Sequence, residues 1–356
     1  MSRRVRIGVV GVGDVAQRDY LPEFHRIADV AELVAVAGRG EERARVAAAR
    51  FGVGAAFGGA DALLAAADDL DLEAIVNLTP LRAHVEVTRA ALERELHVYS
   101  EKPLAPTSRE GRSLRDLALA RGLVLVAAPS ILLFPQVVRA RELLAELGPV
   151  RAARAIVSGG VPPWEGYASD PTPYFAADAG PLVDLGVYPL HVLTGLLGDV
   201  TEVLAVSTRA RERFAVSEGP YAGLEVPVEA DDTWLALLRI GDGAIASVGA
   251  DFSARGTSGP ECELFGADGT LAFSLLDVAA PVSRSGPDGW IEEPVAAGRD
   301  GGGPDHILGV RHLAECIIGG FEPVPSADRA LHVLEVIEAA RTSAREGRAV
   351  SVGKSD

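Results

Sequence analysis

Short apolar runs alternate with helical patterns over the first 127 residues of the chain. The run Val5–Val10 is rich in β-branched side chains, and Glu41–Phe51 carries a helical pattern rich in alanine and arginine. Alternation of strands with helices of about 10–15 residues predicts βα units and a right-handed parallel sheet. The other predicted strands are Leu33–Ala37, Ala74–Leu78, Leu96–Ser100 and Leu123–Ala127, and the other predicted helices are Gln17–Ala28, Asp61–Ala67, Arg82–Glu93 and Thr107–Arg121.

The pattern changes near Ala127-Ala128-Pro129, so we expect one domain at 1–127 and a second at 128–356. In the second domain, β-rich or alternating runs with glycine turns predict a further sheet, and Gly- and Pro-rich Arg284–Gly303 predicts a loop. The acidic patch of Glu229, Asp231 and Asp232 is interpreted as a solvated turn. The strand-like runs are Val150–Ser158, Thr201–Thr208, Thr233–Ile240, Ala244–Phe252 and Glu261–Gly266, and the predicted helices are Ser130–Leu147, Pro181–Leu197, Ile307–Ile318 and Ala327–Arg345.

A glycine turn follows the first predicted strand at once, and a helical pattern begins directly after it. In such a turn the first glycine allows the tight bend, the second lets a pyrophosphate approach the backbone, and the small Ala16 lets the helix pack on the strand. Free amide groups and the dipole at the helix start then hold the phosphates. The residues of this predicted dinucleotide site are Gly11, Val12, Gly13, Asp14 and Val15.

The end of the second predicted strand bears on the choice of cofactor. An acidic residue at this tip would accept the two hydroxyls of an adenosine ribose, and none is present. Gly38 leaves space there, and Arg39 offers a guanidinium suited to a phosphate. These residues favour NADP(H) over NAD(H). The alternative is that Arg39 is a solvated loop residue that stacks on adenine.

Two further strand ends of the first domain carry polar candidates. Glu101-Lys102-Pro103 follows the fourth predicted strand, and Thr79-Pro80 follows the third. Ligands of open parallel sheets bind outside the carboxyl ends of the strands, so we expect both segments at the cofactor edge. Lys102, between an acid and a proline, is a candidate for proton transfer, and Thr79-Pro80 for contact with the nicotinamide half of the cofactor. His84, early in the next helix, has either a role at this edge or a capping and packing role.

The predicted helix Pro181–Leu197 is apolar nearly all round, which indicates that it is buried. Its polar residues Asp184, Tyr188 and His191 are spaced i, i+4, i+7 and would share one face. Buried polar groups need partners. A substrate with several hydroxyls, together with the lysine, would supply them; the alternative is a closed structural network. Pro189 removes a backbone donor, so we expect a kink or restart beside Tyr188.

The segment 159–178 is predicted to be a long loop rich in glycine, proline and aromatic residues. Loops of this length are usually functional or disordered. Aromatic faces suit the apolar faces of a sugar ring, which makes Trp164 and Tyr174 candidate substrate contacts, with core packing as the alternative for each. His191 is a third candidate substrate contact.

Composition excludes several classes of protein. Of 356 residues, 50 are Asp or Glu and 34 are Lys or Arg, which gives a net charge of −16. This balance argues against a nucleic-acid partner and against an anionic membrane surface, since both require basic faces. Cys262 and Cys316 are too few for a disulfide framework and lack metal-ligand spacing, so we expect no metal and a reducing compartment. Without a signal-peptide pattern or a long apolar run, we expect a cytoplasmic protein.

Taken together, these motifs resemble the glucose–fructose oxidoreductase/inositol dehydrogenase family, also called Gfo/Idh/MocA. The matching stretches are the glycine turn, Thr79-Pro80 with His84, Glu101-Lys102-Pro103, Gly180–Tyr188, Leu334–Ala340 and Gly347–Val350. The resemblance covers almost the whole chain. It implies an α/β fold, with an N-terminal Rossmann dinucleotide-binding domain followed by an α/β domain that has a large open, mainly antiparallel sheet.

The resemblance also implies hydride transfer between a nicotinamide cofactor and a hydroxyl or ketone of a sugar, polyol or related ring, nucleotide-linked sugars included. Lys102 would assist proton transfer, Asp184 would orient Lys102 or a substrate hydroxyl, and Tyr188 would donate to, or relay a proton from, the reacting oxygen. Many members have histidine at the position of Tyr188 and others have tyrosine, so the proton moves through Tyr188 or Lys102. The cofactor-side residues would include Thr79, Pro80, His84, Glu101 and Lys102.

Two other functions stay open at this point. Some relatives bind sugars as regulators without turnover, and a few cleave glycosides by transient oxidation with no net change in the cofactor. In this family the outer face of the C-terminal sheet usually makes an oligomer contact. We therefore expect a homodimer or homotetramer assembled through that sheet.

Overall fold

The apolar runs of the sequence form strands, and the helical patterns between them form helices that cover the sheets. We describe residues 3–164, 166–254, 256–287, 289–299 and 302–353 of a computed structural model. In chain order, the strands are β1 Val5–Val10, β2 Ala31–Ala37, β3 Ala55–Phe57, β4 Ala74–Asn77, β5 His97–Ser100, β6 Leu125–Ala127, β7 Val150–Ser158, β8 Val200–Thr208, β9 Arg213–Ala215, β10 Glu225–Pro227, β11 Thr233–Ile240, β12 Ala244–Asp251, β13 Cys262–Gly266, β14 Thr270–Phe273, β15 Val282–Gly286, β16 Gly289–Glu293 and β17 Val350–Ser351.

The helices follow the same numbering by chain order. They are α1 Glu41–Phe51, α2 Ala60–Ala65, α3 Leu81–Glu93, α4 Ser108–Ala120, α5 Pro135–Leu143, α6 Pro181–Asp184, α7 Val187–Leu197, α8 Ile307–Gly319 and α9 Ala327–Glu346. Shorter 3-10 or π-helical turns lie at Ala16–Tyr20, Leu21–Ile27, Ser130–Leu133, Leu144–Leu147 and Thr172–Phe175. Within the described ranges, no helix is both long enough and apolar enough to cross a bilayer.

The first sheet has six parallel strands in the order β3-β2-β1-β4-β5-β6. Its central strands β1 and β4 are almost wholly buried, as expected for a parallel sheet covered by helices on both faces. The strand order reverses between β1 and β4, and ligands of such sheets bind at this crevice. The predicted Rossmann arrangement is thereby confirmed, and the glycine turn follows the strand at the reversal.

The chain divides into two compact units, and the first returns to the parallel sheet late in the sequence. This unit comprises Met1–Ser130 and His306–Leu331, and the second comprises Ile131–Asp305 and His332–Asp356. The sequence predicts everything after residue 127 in the second domain, whereas residues 306–331 belong to the first unit. The difference arises because α8 packs against β1, β5 and β6. Gly309 permits this contact, since a Cβ there would lie 2.4 Å from Cε2 of Tyr99.

The second unit contains a nine-stranded sheet in the order β16-β15-β14-β13-β7-β12-β11-β8-β17. Strands β7 and β12 pair in parallel, and every other neighbouring pair of described strands is antiparallel. Helices α6 and α7 cover one face at β7, β11 and β12. The predicted large, mainly antiparallel sheet is confirmed.

The other face of this sheet is exposed and apolar at its centre. Along β11, buried and exposed residues alternate, with Leu235 and Leu237 more than half exposed. Their cross-strand partners are Val206 and Leu204 of β8, which are exposed as well. We call these four side chains the open-face patch.

Several local predictions were wrong. The segment predicted as one helix after the glycine turn is a π-helical turn followed by a 3-10 helix that ends at Ile27. Arg284–Gly303, predicted as a loop, contains part of β15 and all of β16, which pair with each other. Asp232 is 5% exposed rather than solvated, and its carboxylate accepts the backbone N–H of Ala210 at 3.0 Å.

The helix predicted over Pro181–Leu197 breaks between α6 and α7. The break lies at Leu185-Gly186, where a Cβ on Gly186 would stand 2.5 Å from the carbonyl oxygen of Leu182. Pro189, expected to cause the break, is the third residue of α7. An N–H in the first turn of a helix has no intrahelical acceptor, so a proline there disrupts nothing.

Candidate cofactor and catalytic site

The glycine turn between β1 and the following helical turn is tight at its first glycine and open at its second. Gly11 has φ of 105°, and a Cβ on it would lie 2.4 Å from the carbonyl oxygen of Leu78. Gly13 is exposed, and a Cβ there would meet no atom within 4 Å. The first glycine therefore serves the fold, while the second leaves open space beside the backbone.

The start of the helical segment after this turn is suited to phosphate groups. Helical backbone begins at Asp14, no side chain caps Val15, and the Gln17 N–H is bonded to the Gly13 carbonyl oxygen at 3.0 Å. The amide groups that precede Gln17 are therefore the candidates for contact with a phosphate. Ala16 is 1% exposed, which allows the close packing that the sequence predicted. Gln17 holds the turn by donating its amide to the carbonyl oxygen of Val12 at 2.9 Å. These residues fit a dinucleotide.

At the carboxyl end of β2, Gly38 and Arg39 have different environments. Gly38 is buried, and a Cβ on it would lie 2.5 Å from Cγ2 of Val12, so a larger residue at this tip would press on the glycine turn. Arg39 is exposed. Its guanidinium has no hydrogen bond or ion pair with any residue of the described ranges, which leaves it available to a ligand.

A buried hydrogen-bond network ties the end of β4 to helix α3. Asn77 is fully buried, and its amide donates to Thr88 Oγ1 at 3.0 Å. Its Oδ1 accepts the hydroxyl of Thr79 at 2.6 Å. Thr79 is half-buried and Pro80 is exposed, so the segment reaches the sheet edge as predicted. The sequence interpretation missed Asn77, although an amide at the end of a buried strand needs partners.

His84 links the segments that follow β4 and β5. The imidazole is 2% exposed, with Nε2 at 2.7 Å from the carbonyl oxygen of Thr79 and Nδ1 at 2.8 Å from that of Pro103. Burial lowers the pKa of His84, while these carbonyl groups and the Glu101 carboxylate favour its charged form. His84 therefore holds the loops after β4 and β5 together, which is a packing role at the carboxyl edge of the parallel sheet.

Lys102 follows β5 at the same edge and is half-buried. The preceding Glu101 is 8% exposed, and its Oε2 accepts the backbone N–H of Lys102 at 2.8 Å. Its Oε1 accepts the hydroxyl of Tyr20 at 2.5 Å. The carboxylate of Glu101, predicted to contact the cofactor, thus has two partners inside the protein. The sequence interpretation missed Tyr20, although a phenol on a buried helical face usually needs a hydrogen-bond partner.

Asp184, Tyr188 and His191 belong to the second unit, whereas Lys102 belongs to the first. Asp184 ends α6 and is partly exposed; Tyr188 and His191 lie on α7 and are 6% and 2% exposed. The interruption at Leu185-Gly186 lies between Asp184 and the other two residues, and the backbone there stays right-handed helical. Tyr188 and His191 retain i, i+3 spacing and share a face of α7.

The predicted aromatic contacts lie together in the loop after β7. Trp164 donates its indole N–H to the carbonyl oxygen of Gly159 at 2.6 Å. The ring of Tyr174 meets the Trp164 ring edge-on, with ring centroids 5.2 Å apart. The Phe252 ring also packs on Trp164, with centroids 5.9 Å apart. Trp164 and Tyr174 are both half-buried, so this packing leaves part of each ring accessible.

Comparison with known proteins shows that two models of one protein family match this chain. Residues 5–128 match the family model described as "Oxidoreductase family, NAD-binding Rossmann fold" (GFO_IDH_MocA), and residues 137–272 match the "GFO/IDH/MocA C-terminal domain". The two matches cover successive parts of the chain and together span most of it.

Similar proteins include two named enzymes and one enzyme whose structure was solved with bound ligands. The dTDP-3,4-didehydro-2,6-dideoxy-alpha-D-glucose 3-reductase of Streptomyces violaceoruber is 39% identical over 204 residues, which cover 56% of this chain and only 57% of that protein. The D-xylose 1-dehydrogenase (NADP(+)) 2 of Haloferax volcanii is 27% identical over 354 residues, covering 97% of this chain and 99% of that one. A structure of levoglucosan dehydrogenase with NADH and levoglucosan shares the fold, with a TM-score of 0.83, 21% identity, and coverage of 99% of this chain and 100% of that one.

Proposed function

Because the chain belongs to the Gfo/Idh/MocA family of oxidoreductases, we propose that it transfers hydride between a nicotinamide cofactor and a hydroxyl or ketone of a sugar, polyol or related ring. The observation that carries this proposal is the edge of the parallel sheet. There the open glycine turn follows β1, and Lys102 follows β5. The first unit would bind the cofactor, and the second would bind substrate and mediate assembly.

Specific roles follow from the chemistry of the side chains. The glycine turn would hold the pyrophosphate through its backbone amides, with Thr79, Pro80 and His84 shaping the nicotinamide side. The bound nicotinamide supplies the hydride acceptor or donor. Lys102 would give a proton to the reacting oxygen or take one from it.

The second unit would supply the remaining polar groups. Asp184 would orient Lys102 or a substrate hydroxyl, and Tyr188 would donate to the reacting oxygen or relay its proton. His191, Trp164 and Tyr174 would contact the ring of the substrate. The support for these roles is position, because Tyr188 and His191 lie three residues apart on one face of α7.

The cofactor is proposed to be NADP(H) rather than NAD(H). The support is Arg39, which is exposed and has no partner among the described residues. It follows the end of β2, where an acidic side chain would bind a ribose diol. The buried Gly38 gives further support, because an acidic side chain at that residue would press on Val12. A guanidinium binds a 2′-phosphate with charge-assisted hydrogen bonds.

The assembly is proposed to be a homodimer or homotetramer that covers the open-face patch. Four neighbouring apolar side chains exposed to water favour association with a matching surface. A second copy of the chain supplies the same patch, and a two-fold axis places like surfaces face to face. The cytoplasmic location inferred from the sequence stays a prediction.

The function is tested by nicotinamide absorbance at 340 nm, a wavelength at which reduced cofactors absorb. Purified protein is mixed with NADP+ or NAD+ and sugars, polyols and inositols, and separately with NADPH and keto-sugars, including nucleotide-linked ones. A change that Lys102→Ala abolishes is the expected result. If cofactor binds, absorbance stays constant across both panels and no glycoside releases a leaving group, the result would favour a sugar-binding regulator. Release of a leaving group from a glycoside at constant absorbance would identify a redox-neutral hydrolase.

A further inference from the structure

The carboxylate of Glu101 controls the backbone from which Lys102 projects. One oxygen accepts the Lys102 N–H, and the other accepts the Tyr20 hydroxyl. Because Glu101 is buried, water does not compete strongly for these bonds. A buried carboxylate held on both sides has a fixed orientation. Loss of the Tyr20 bond would leave the carboxylate held on one side only, by the Lys102 N–H.

The hydroxyl protons of two tyrosines are directed toward this carboxylate. Tyr20 has one hydroxyl proton, and a carboxylate can only accept, so Tyr20 donates to Glu101. The Tyr99 hydroxyl, 2.9 Å from that of Tyr20, must then donate to the Tyr20 oxygen. Burial, reinforced by the Glu101 charge, raises the pKa of Tyr20 well above its ordinary value, so Tyr20 remains a donor. Bonds in such a chain strengthen one another.

The Tyr20 ring is itself held by His306. The two rings stack with centroids 5.7 Å apart and planes at 27°, and His306 is 8% exposed. Its Nδ1 has no hydrogen-bond partner in the described parts of the chain. No hydrogen bond from this nitrogen therefore helps to orient the His306 ring. His306 directly precedes α8, whose Gly309 packs on Tyr99. The start of α8 thus contacts both tyrosines.

The charge of His306 is set by groups on several elements. Burial lowers its pKa, and Lys102 and Arg18 act in the same direction, while Glu101 and Asp19 oppose them. The neutral imidazole is therefore the form that stacks on Tyr20. These groups all belong to the first unit.

We propose that Tyr20 and His306 are positioning residues for Lys102: His306 fixes the Tyr20 ring, and Tyr20 fixes Glu101 and thereby the Lys102 backbone. The inference rests on the catalytic role proposed for Lys102. Neither residue needs to touch cofactor or substrate to have this effect.

The chain offers an unusually direct test, because Lys102 and Lys354 are its two lysines. Protein labelled with ¹³C at lysine Cε gives two signals, which Lys102→Arg and Lys354→Arg assign. The spectrum is recorded without cofactor or substrate, so it does not depend on activity. Tyr20→Phe keeps the ring and removes the hydroxyl, and we expect it to shift or broaden the Lys102 signal. Tyr221→Phe, at an exposed tyrosine of the second unit, leaves the signal unchanged.

Two variants of His306 test the stacking contact. His306→Ala removes the ring and is expected to perturb the Lys102 signal, whereas His306→Phe keeps a ring and restores the wild-type position. Thermal unfolding first shows that each variant is folded. If His306→Phe shifted the signal as far as His306→Ala, stacking would not be the contribution of His306. If neither Tyr20→Phe nor His306→Ala moved the signal, the positioning proposal would be overturned.

Kinetics separate this inference from the proposed function. Tyr20→Phe should lower kcat by about tenfold or more, since a small misplacement of a catalytic group is costly, with Kd for NADPH within about twofold of wild type. If Tyr20→Phe displaced the Lys102 signal but left kcat normal, the positioning proposal would stand. The catalytic role proposed for Lys102 would then be wrong. An unchanged signal with unchanged kcat would overturn the positioning and leave the proposed function standing.

Discussion

A Cβ on Gly11 would stand 2.4 Å from the carbonyl oxygen of Leu78, and Gly11 itself has φ of 105°. Side chains rarely adopt this backbone conformation, and neither backbone segment yields easily. We expect Gly11→Ala to lower the free energy of unfolding by about 2–4 kcal/mol. Urea denaturation followed by circular dichroism measures this loss.

Gly13→Ala is the matched control for Gly11→Ala. A Cβ at residue 13 meets nothing within 4 Å, so stability should stay within about 0.5 kcal/mol of wild type. The added methyl group occupies the space proposed for the pyrophosphate, and Kd for NADPH should rise by about tenfold or more. If Gly13→Ala bound NADPH as tightly as wild type, the proposed position of the pyrophosphate at this turn would be wrong.

Replacement of Lys102 tests the proposed proton transfer. Lys102→Ala should lower kcat by about two to four decades, the range for a positioned acid–base group, while Kd for NADPH changes little. Lys102→Arg is the control, because it keeps the positive charge but holds its proton at any working pH. If either variant turned over at nearly the wild-type rate, the proton would have to pass through another group, with Tyr188 as the next candidate.

Arg39 is expected to distinguish the two nicotinamide cofactors. Loss of its charge-assisted bonds to a 2′-phosphate should raise Kd for NADPH by about 10- to 100-fold in Arg39→Ala, and Kd for NADH by less than about twofold. Isothermal titration calorimetry measures both constants. Arg43→Ala is the control, at an exposed arginine on α1 nearby. Tighter binding of NADH than NADPH by the wild-type protein would contradict the proposed preference.

The open-face patch should determine the oligomeric state. Leu237→Glu places a charge on a leucine that is 59% exposed and paired across the strands with Leu204. If a second copy covers this face, the buried charge should shift the protein toward monomer in sedimentation experiments. Val46→Glu is the control, because Val46 is equally exposed on α1 of the first unit. A monomeric wild-type protein would refute the assembly.

The buried His306 should make stability depend on pH. Its pKa is lowered in the folded state, so between that value and the unfolded value of about 6.5 the unfolded chain binds more protons. Its contribution to stability is therefore complete above about pH 6.5 and is lost as the pH falls. The free energy of unfolding at pH 7.5 and 5.5 should differ less in His306→Phe than in wild type. His25→Gln, at an exposed histidine, should leave that difference unchanged.

The sequence alone determined the elements whose signals are local. The β-branched run predicts the strand, the two glycines predict the turn, and the small residue predicts the start of the helix. Each prediction depends only on the backbone conformation or packing of residues a few positions away. Strands alternating with helices predict a parallel sheet, and the carboxyl ends of parallel strands share one edge. This rule predicts Lys102 and Thr79 at that edge. The position of Gly38 and Arg39 after β2 likewise predicts that they lie at this edge.

Only the tertiary structure decided the contacts between residues that are distant in sequence. Tyr20, Glu101 and His306 are separated by dozens of residues or more, and no spacing along the chain pairs them. The break before α7 depends on the approach of Gly186 to Leu182, which a helical pattern does not register. The return of α8 to the first unit depends on space beside Tyr99 that Gly309 alone leaves. Periodicity reports which side of an element is buried, whereas the shape of the neighbouring surface decides what it is buried against.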